Sequence, residues 1–199
     1  MLCFRDLNKV SCLLEWLDEV QDLCFDCRAL LVTNKSKFKV ADLEVVSLFP
    51  YQDLIQQLLI RYKESKDIAL HPLFLGAYRR WFLRKYRQHL GILVPSHPQA
   101  IARRGFNHLP LIFQNTIPLF DGVVKTSDQQ QMRQSKAQRP LVNFELVKTI
   151  NPSFEKLVIL DDVITTGASL RAMSRLFSSE KYSLSAFSIA FHPMILKKM

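Results

Sequence analysis

Glycine is scarce: the 199 residues hold five, at Gly76, Gly91, Gly105, Gly122 and Gly167. None stands in a G-x-x-x-x-G-K-[ST] spacing and none forms G-x-G-x-x-G, which sets aside P-loop ATPase and dinucleotide-binding chemistry. No apolar run approaches the ~18 residues of a membrane span, so no membrane insertion is expected. The N-terminus lacks the basic stretch and apolar core of a secretory signal, and a cytoplasmic location is expected. The five histidines (His71, His89, His97, His108, His192) are scattered, and none pairs at metal-ligand spacing. Acidic residues are outnumbered, 18 Asp/Glu against 27 Lys/Arg, for a net charge of +9. Apolar residues are not lacking: at 48%, with 11% aromatic, they can fill a sizeable core. This length holds one full domain and a small appendage.

The charge is unevenly placed. Residues 1–50 carry six Lys/Arg against eight Asp/Glu, residues 51–110 ten against three, and residues 111–199 eleven against seven. Phosphate-rich ligands or nucleic acid would gather where the basic excess begins, after the first fifty residues. That opening segment holds all four cysteines, Cys3, Cys12, Cys24 and Cys27. Without an export signal they are expected as reduced thiols or metal ligands, not disulfides. Cys24-Phe25-Asp26-Cys27 is one metal-type pair, half of a tetrahedral zinc set, which Cys3 and Cys12 could complete. Alternatively Cys12 joins Leu13, Trp16, Leu17 and Val20 on the apolar side of a short helix. The polar run Thr33 to Lys39 marks the expected boundary between a small module, residues 1–42, and a larger domain, residues 43–199.

Within the larger unit, Leu43 to Phe49 reads as a strand and Asp53 to Arg61 as a helix. Pro72 opens a helix on which Phe74, Tyr78, Trp81, Phe82 and Tyr86 share one face to about Leu90. Ile92 to Val94 is a short strand stopped by Pro95. Leu109 to Phe113 is helical, Gly122 to Lys125 and Tyr182 to Phe191 are strands, and Thr126 to Arg139 is a polar surface loop. Strands alternating with helices imply an α/β fold with a mostly parallel sheet.

Residues Lys156 to Leu170, KLVILDDVITTGASL, narrow the chemistry most. An apolar run ends in Asp161 and Asp162. A loop of small residues follows (Thr165, Thr166, Gly167, Ala168, Ser169), and then a helix begins. A loop opening a helix offers N–H groups, a favourable dipole and hydroxyls to a phosphate. Carboxylates beside it accept from sugar hydroxyls but repel a pyrophosphate. A ribose 5-phosphate suits both halves. The pattern resembles the 5-phosphoribosyl-1-pyrophosphate (PRPP) motif of type I phosphoribosyltransferases. An apolar strand ending in two aspartates also suits an ATPase, but that requires the P-loop this chain lacks.

Further segments stand in order ahead of that motif: Tyr62-Lys63, Val94-Pro95, Arg104-Gly105-Phe106-Asn107, and Thr126-x-x-Gln129-x-x-Met132 with Lys136 and Arg139. With cysteines near the start, the chain resembles the ComF family, phosphoribosyltransferase-like proteins of DNA uptake in competent bacteria. It departs from that family at Lys66, where a glycine turn is usual, at Ala100, where a second arginine is frequent, and in having one Cys-x-x-Cys pair. The resemblance implies a type I phosphoribosyltransferase fold with a small N-terminal module holding a structural zinc on Cys3, Cys12, Cys24 and Cys27. It implies PRPP with Mg2+ as ligand, Asp161 and Asp162 on the ribose hydroxyls, and Thr165 to Ser169 around the 5-phosphate. Pro95, Ser96 and His97 would approach the pyrophosphate, Arg104 and Lys63 would supply positive charge, and the loop carrying Lys136 and Arg139 would close over the site.

Whether such a site transfers phosphoribosyl groups or senses a ligand stays open, as does the acceptor. Glutamine-dependent amidotransfer is not expected, since the start Met1-Leu2-Cys3 leaves no room for a glutaminase domain. Other competence proteins, such as the ComFA helicase, are partners by family resemblance. Single-stranded DNA is a further candidate, because Tyr78 to Arg87 interleaves aromatic and basic residues; burial of the aromatics would remove the stacking surface. The alternative functions are an orphan phosphoribosyltransferase of nucleotide salvage and a DNA-binding module with a relic pocket.

Overall fold

The computed structural model describes residues 31, 35–126, 143–177 and 181–198. The four cysteines, Lys136 and Arg139 lie outside the described residues, and with them the zinc and closing-loop expectations.

The chain enters as an antiparallel pair, β1 (Ser36–Val40) and β2 (Leu43–Pro50), joined at Ala41 and Asp42. The polar run expected to be a boundary thus already contributes to the main sheet. Helix α1 (Asp53–Glu64) buries Ile55, Leu58, Leu59 and Tyr62, a stripe at helical spacing. The aromatic stretch expected as one helix to Leu90 is broken instead. It forms α2 (His71–Leu75), a 3-10 turn (Gly76–Tyr78) and α3 (Arg79–Tyr86), and Leu90 already belongs to β3 (Leu90–Leu93). Gly76 weakens the helix where it tightens. Even so, Phe74, Tyr78, Phe82 and Tyr86 all remain buried.

Helix α4 (Pro98–Arg104) has proline at its start and closes on Gly105 at φ 83, whose N–H bonds Ile101 O at 2.8 Å. In α5 (His108–Phe113), Pro110 lies in the first turn, where no intrahelical N–H bond is lost. Then come β4 (Leu119–Phe120), β5 (Val123–Lys125), β6 (Phe144–Leu146), β7 (Lys156–Ile164), α6 (Ala168–Leu176), β8 (Ser183–Phe191) and a last 3-10 turn (Pro193–Lys198).

The main sheet runs β1-β2-β8-β7-β3-β4, parallel except for β1, and β5 pairs β6 separately. An α/β fold with a mostly parallel sheet flanked by helices was expected, and this is the class found. The arrangement is compatible with a phosphoribosyltransferase-like fold. Val158, Leu160, Phe187 and Ile189 pack with α1, α2, α3 and α5 on one face. Leu157, Ile159 and Ala186 pack with Leu170 and Met173 of α6 on the other. Each such buried large side chain contributes roughly 1.5–3 kcal/mol.

The topology positions the site. From β3 the chain moves outward to β4; from β7 it moves the opposite way, to β8. The strand order therefore reverses between β3 and β7, and at such a switch point the loops diverge and leave a crevice at the carboxyl ends.

Candidate functional site

Strand β3 stops at Leu93 opposite Leu160, where Val94 N–H bonds Leu160 O at 3.0 Å. Strand β7 continues past it, held on its other side by β8 through Asp161 opposite Ser188 and Ile164 opposite Phe191. The apolar run was expected to end in the two aspartates; instead the strand passes through them, because β8 extends the ladder. On the β3 side Asp161 and Asp162 border the crevice. Asp161 Oδ1 accepts from Asp162 N–H at 2.9 Å, and Asp162 Oδ1 from Val163 N–H at 2.8 Å.

Asp162 is buried and faces a cluster from three helices. The ammonium of Lys63, in the last turn of α1, lies against its Oδ2. Nε2 of His108, the first residue of α5, faces the same oxygen at 3.2 Å. His108 Nδ1 lies 3.3 Å from Ser96 Oγ and 3.3 Å from Arg104 Nη1. Tyr62 Oη donates to the His108 carbonyl at 2.8 Å, and Glu64 draws in Arg104 at 3.8 Å and Arg103 at 3.1 Å.

This crowding sets the protonation states. Burial lifts Asp161 to about 7, although the charge of Lys63 pulls the other way. Burial also lowers Lys63 to about 8, with Asp161 opposing. His108 is pushed down to about 3, first by burial and then by the charges of Lys63 and Arg104. Its ring is neutral, and the pattern that fits its neighbours places the proton on Nε2, toward Asp162, and leaves Nδ1 accepting.

Beyond β7, Thr165 and Thr166 are exposed while Gly167 is buried at φ 74. A Cβ there would stand 2.6 Å from Val40 Cγ1, so only glycine fits this turn. Arg171, one turn into α6, donates to Thr166 O at 3.0 Å, and Thr166 Oγ1 accepts from Ala168 N–H at 3.4 Å. Ala168 and Ser169 form the first turn of α6, with N–H groups free of intrahelical partners. Across the crevice the loop after β3 holds Pro95, Ser96 and His97. The His97 ring caps α4, accepting from Gln99 N–H at 3.2 Å.

The fold therefore brings together Lys63, Ser96, Arg104, Asp161 and Asp162, and places Thr165 to Ser169 at the same end of the sheet. His97 is turned to capping. His108, Glu64 and Arg171 are additions, and Tyr62, noted in the sequence only as part of the Tyr62-Lys63 segment, joins them by its bond to the His108 carbonyl. Among the described residues, no group of three or more His, Cys, Asp or Glu could hold a metal ion. Tyr78, in the 3-10 turn, and Phe82 and Tyr86, on α3, are spent on the core, with Phe82 and Tyr86 against Phe187, and Arg79 donates to Asn115 O at 2.6 Å. Base stacking on those buried rings is closed off. No described helix is long and apolar enough to cross a membrane.

No family model matches the chain. It is 25% identical over 134 residues to the competence protein ComFC of Streptococcus pneumoniae (strain ATCC BAA-255 / R6), covering 65% of this chain and 60% of that protein. It is 26% identical over 150 residues to the competence protein ComFC of Bacillus subtilis (strain 168), covering 72% of this chain and 62% of that one. The chain thus spans about 60% of the length of the curated relatives it matches. The chain is thus similar to ComFC competence proteins, the same family its own motifs resemble.

Proposed function

We propose that the crevice between β3 and β7 binds a ribose 5-phosphate ligand, PRPP with Mg2+, in a protein of competence-linked DNA uptake. One observation carries the reading. A single switch point gathers paired carboxylates (Asp161, Asp162), a glycine-dependent loop opening a helix, and two enclosed cations (Lys63, Arg104). The competence role follows the names of both relatives.

The 5-phosphate sits on the N–H groups and hydroxyls of Thr165 to Ser169, at the positive end of α6. The ribose hydroxyls donate to Asp161 and Asp162. Lys63 and Arg104 face the pyrophosphate, which approaches the loop of Pro95, Ser96 and His97. The donor set suits magnesium that arrives with its ligand: this ion keeps several waters and uses phosphate oxygens in place of a protein cage. When bound, it would be held by the ligand's own oxygens and water, with no protein cage, and would offset leaving-group charge. The protein's part is positioning and a preorganised field. Burial of Asp162 and partial burial of Asp161 keep water from competing for the sugar hydroxyls. Lys63, at about 8, is mostly charged at neutral pH, so it can pass between Asp162 and the incoming phosphates.

Calorimetric titration with PRPP and magnesium tests this, with Asp161→Asn/Asp162→Asn as control. Saturable heat in the wild type that disappears in the double variant is expected. Equal heats in both would place the ligand elsewhere.

A further inference from the structure

Among the described residues, five buried side-chain polar atoms lack an aligned hydrogen bond, and three belong to this corner: His108 Nε2, Arg104 Nε and Asp162 Oδ2, the last with the Lys63 ammonium against it. Buried polar groups are almost always satisfied, so such a concentration requires a reason. His108 and Asp162 face one another at 3.2 Å but off the line of a full hydrogen bond. The same imidazole reaches Ser96, in the loop after β3, and Arg104, at the end of α4. Its backbone is pinned as well, by Tyr62 from α1. One ring thus touches both walls of the crevice.

We propose that His108 is a positioning residue of the ligand site. As a neutral ring it holds Asp162 toward the ribose hydroxyls through Nε2–H and anchors Ser96 and Arg104 through Nδ1. The inference rests on the ribose 5-phosphate reading of the crevice. A cationic ring would have no acceptor to offer Ser96 or Arg104, and would stand against Lys63 and Arg104. The opposite tautomer would set a lone pair against the Asp162 carboxylate. Only the neutral ring with its proton on Nε2 serves all three neighbours. In that form His108 keeps Asp162 aimed into the crevice. A histidine that merely filled space would need neither nitrogen.

Two measurements test it. Long-range 1H–15N spectra report the tautomer without any ligand. The His108 signals should show a neutral ring protonated on Nε2 and should shift in Asp162→Asn. A cationic ring, a proton on Nδ1, or signals unmoved by Asp162→Asn would overturn the proposal. Calorimetry with PRPP and magnesium then compares His108→Gln, whose amide keeps one donor and one acceptor, with His108→Leu, which keeps volume alone. Leucine should weaken binding about tenfold or more, and glutamine by less than about threefold, the spread of a lost charge-assisted contact against a retained one. Leucine binding as well as wild type, or glutamine as weak as leucine at an equal melting temperature, would refute it. Should His108→Leu fail to fold, the spectra and the glutamine variant still decide. A wild type that gives no PRPP heat sinks the ligand reading alone, and the tautomer result stands apart from it.

Discussion

Gly167→Ala is the perturbation that tests the loop most directly. Two separate costs add there. The backbone at φ 74 is left-handed, which an L-side chain adopts at a cost of about 1–2 kcal/mol. The new Cβ would stand 2.6 Å from Val40 Cγ1, inside any real carbon contact. Arg171 Nη1, at 3.2 Å, is the end of a flexible chain and can withdraw. Val40 cannot: it is β-branched, 4% exposed and paired with Leu43 in the β1–β2 ladder. Relieving such an overlap in a packed core costs about 1–3 kcal/mol. The substitution should therefore destabilise the protein by about 2–5 kcal/mol, a large share of the stability of a domain this size.

The two costs separate in a double-mutant cycle. Val40→Ala alone opens a small cavity and should cost about 2 kcal/mol. In that background Gly167→Ala no longer meets a methyl group and retains the backbone cost only. The coupling should be about 1–3 kcal/mol in favour of the pair, read from urea midpoints at unchanged slope. Additivity within about 0.5 kcal/mol would refute the claim that β1 and the loop after β7 are in contact through these atoms.

The site's polar groups lead to two further expectations. Tyr62→Phe removes the donor to the buried His108 carbonyl and should cost about 1–2 kcal/mol in chemical denaturation; an unchanged midpoint would mean that this bond pins nothing. The second concerns pH. His108 is held at about 3 in the fold, below the ~6.5 of an unfolded histidine, so between those values the unfolded chain binds a proton that the folded one does not. Its contribution is therefore complete above about pH 6.5 and is lost as the pH falls toward 3. Asp161, raised to about 7, acts in the opposite sense: its contribution is complete below about pH 4 and is lost as the pH rises through 7. In His108→Gln only the carboxylate remains of this pair, so its melting temperature should fall less than the wild type's between pH 6.5 and 4. Parallel curves would show that His108 is not held neutral.

Much of the fold was legible because local signals agreed with the global arrangement. The apolar-rich runs at Leu43 to Phe49 and Tyr182 to Phe191 lie at the strands they foretold, and the stripe of Ile55, Leu58 and Leu59 faces the core. Illegible parts had weak or conflicting signals. Ser36–Val40 reads as a polar link by composition, yet Phe38 and Val40 alternate with Lys37 and Lys39 and fill a sheet edge. The aromatic stripe from Phe74 to Tyr86 keeps a helical period through a 3-10 turn, so periodicity alone hid the tightening that begins at Gly76.

For the site, chemistry that is contiguous in sequence was readable and chemistry assembled across elements was not. The loop Thr165 to Ser169 is one segment whose backbone demand shows in Gly167. His108 lies 54 positions before Asp162, and only the adjacency of β3 and β7 with α5 makes them neighbours. Spacing favoured His97 because it stands beside the crevice strand. Its ring is instead spent on the α4 N-terminus, a common use for an acceptor one residue ahead of a proline-led helix. A signal for His108 did exist: it follows Arg104 by four positions, directly after Arg104-Gly105-Phe106-Asn107. Because Gly105 ends α4 in the left-handed conformation, that interval is a turn between two helices, and it folds His108 back onto Arg104 at 3.3 Å. A glycine that stops one helix just before another starts therefore marks a place where residues on either side can converge. Here they converge on Asp162.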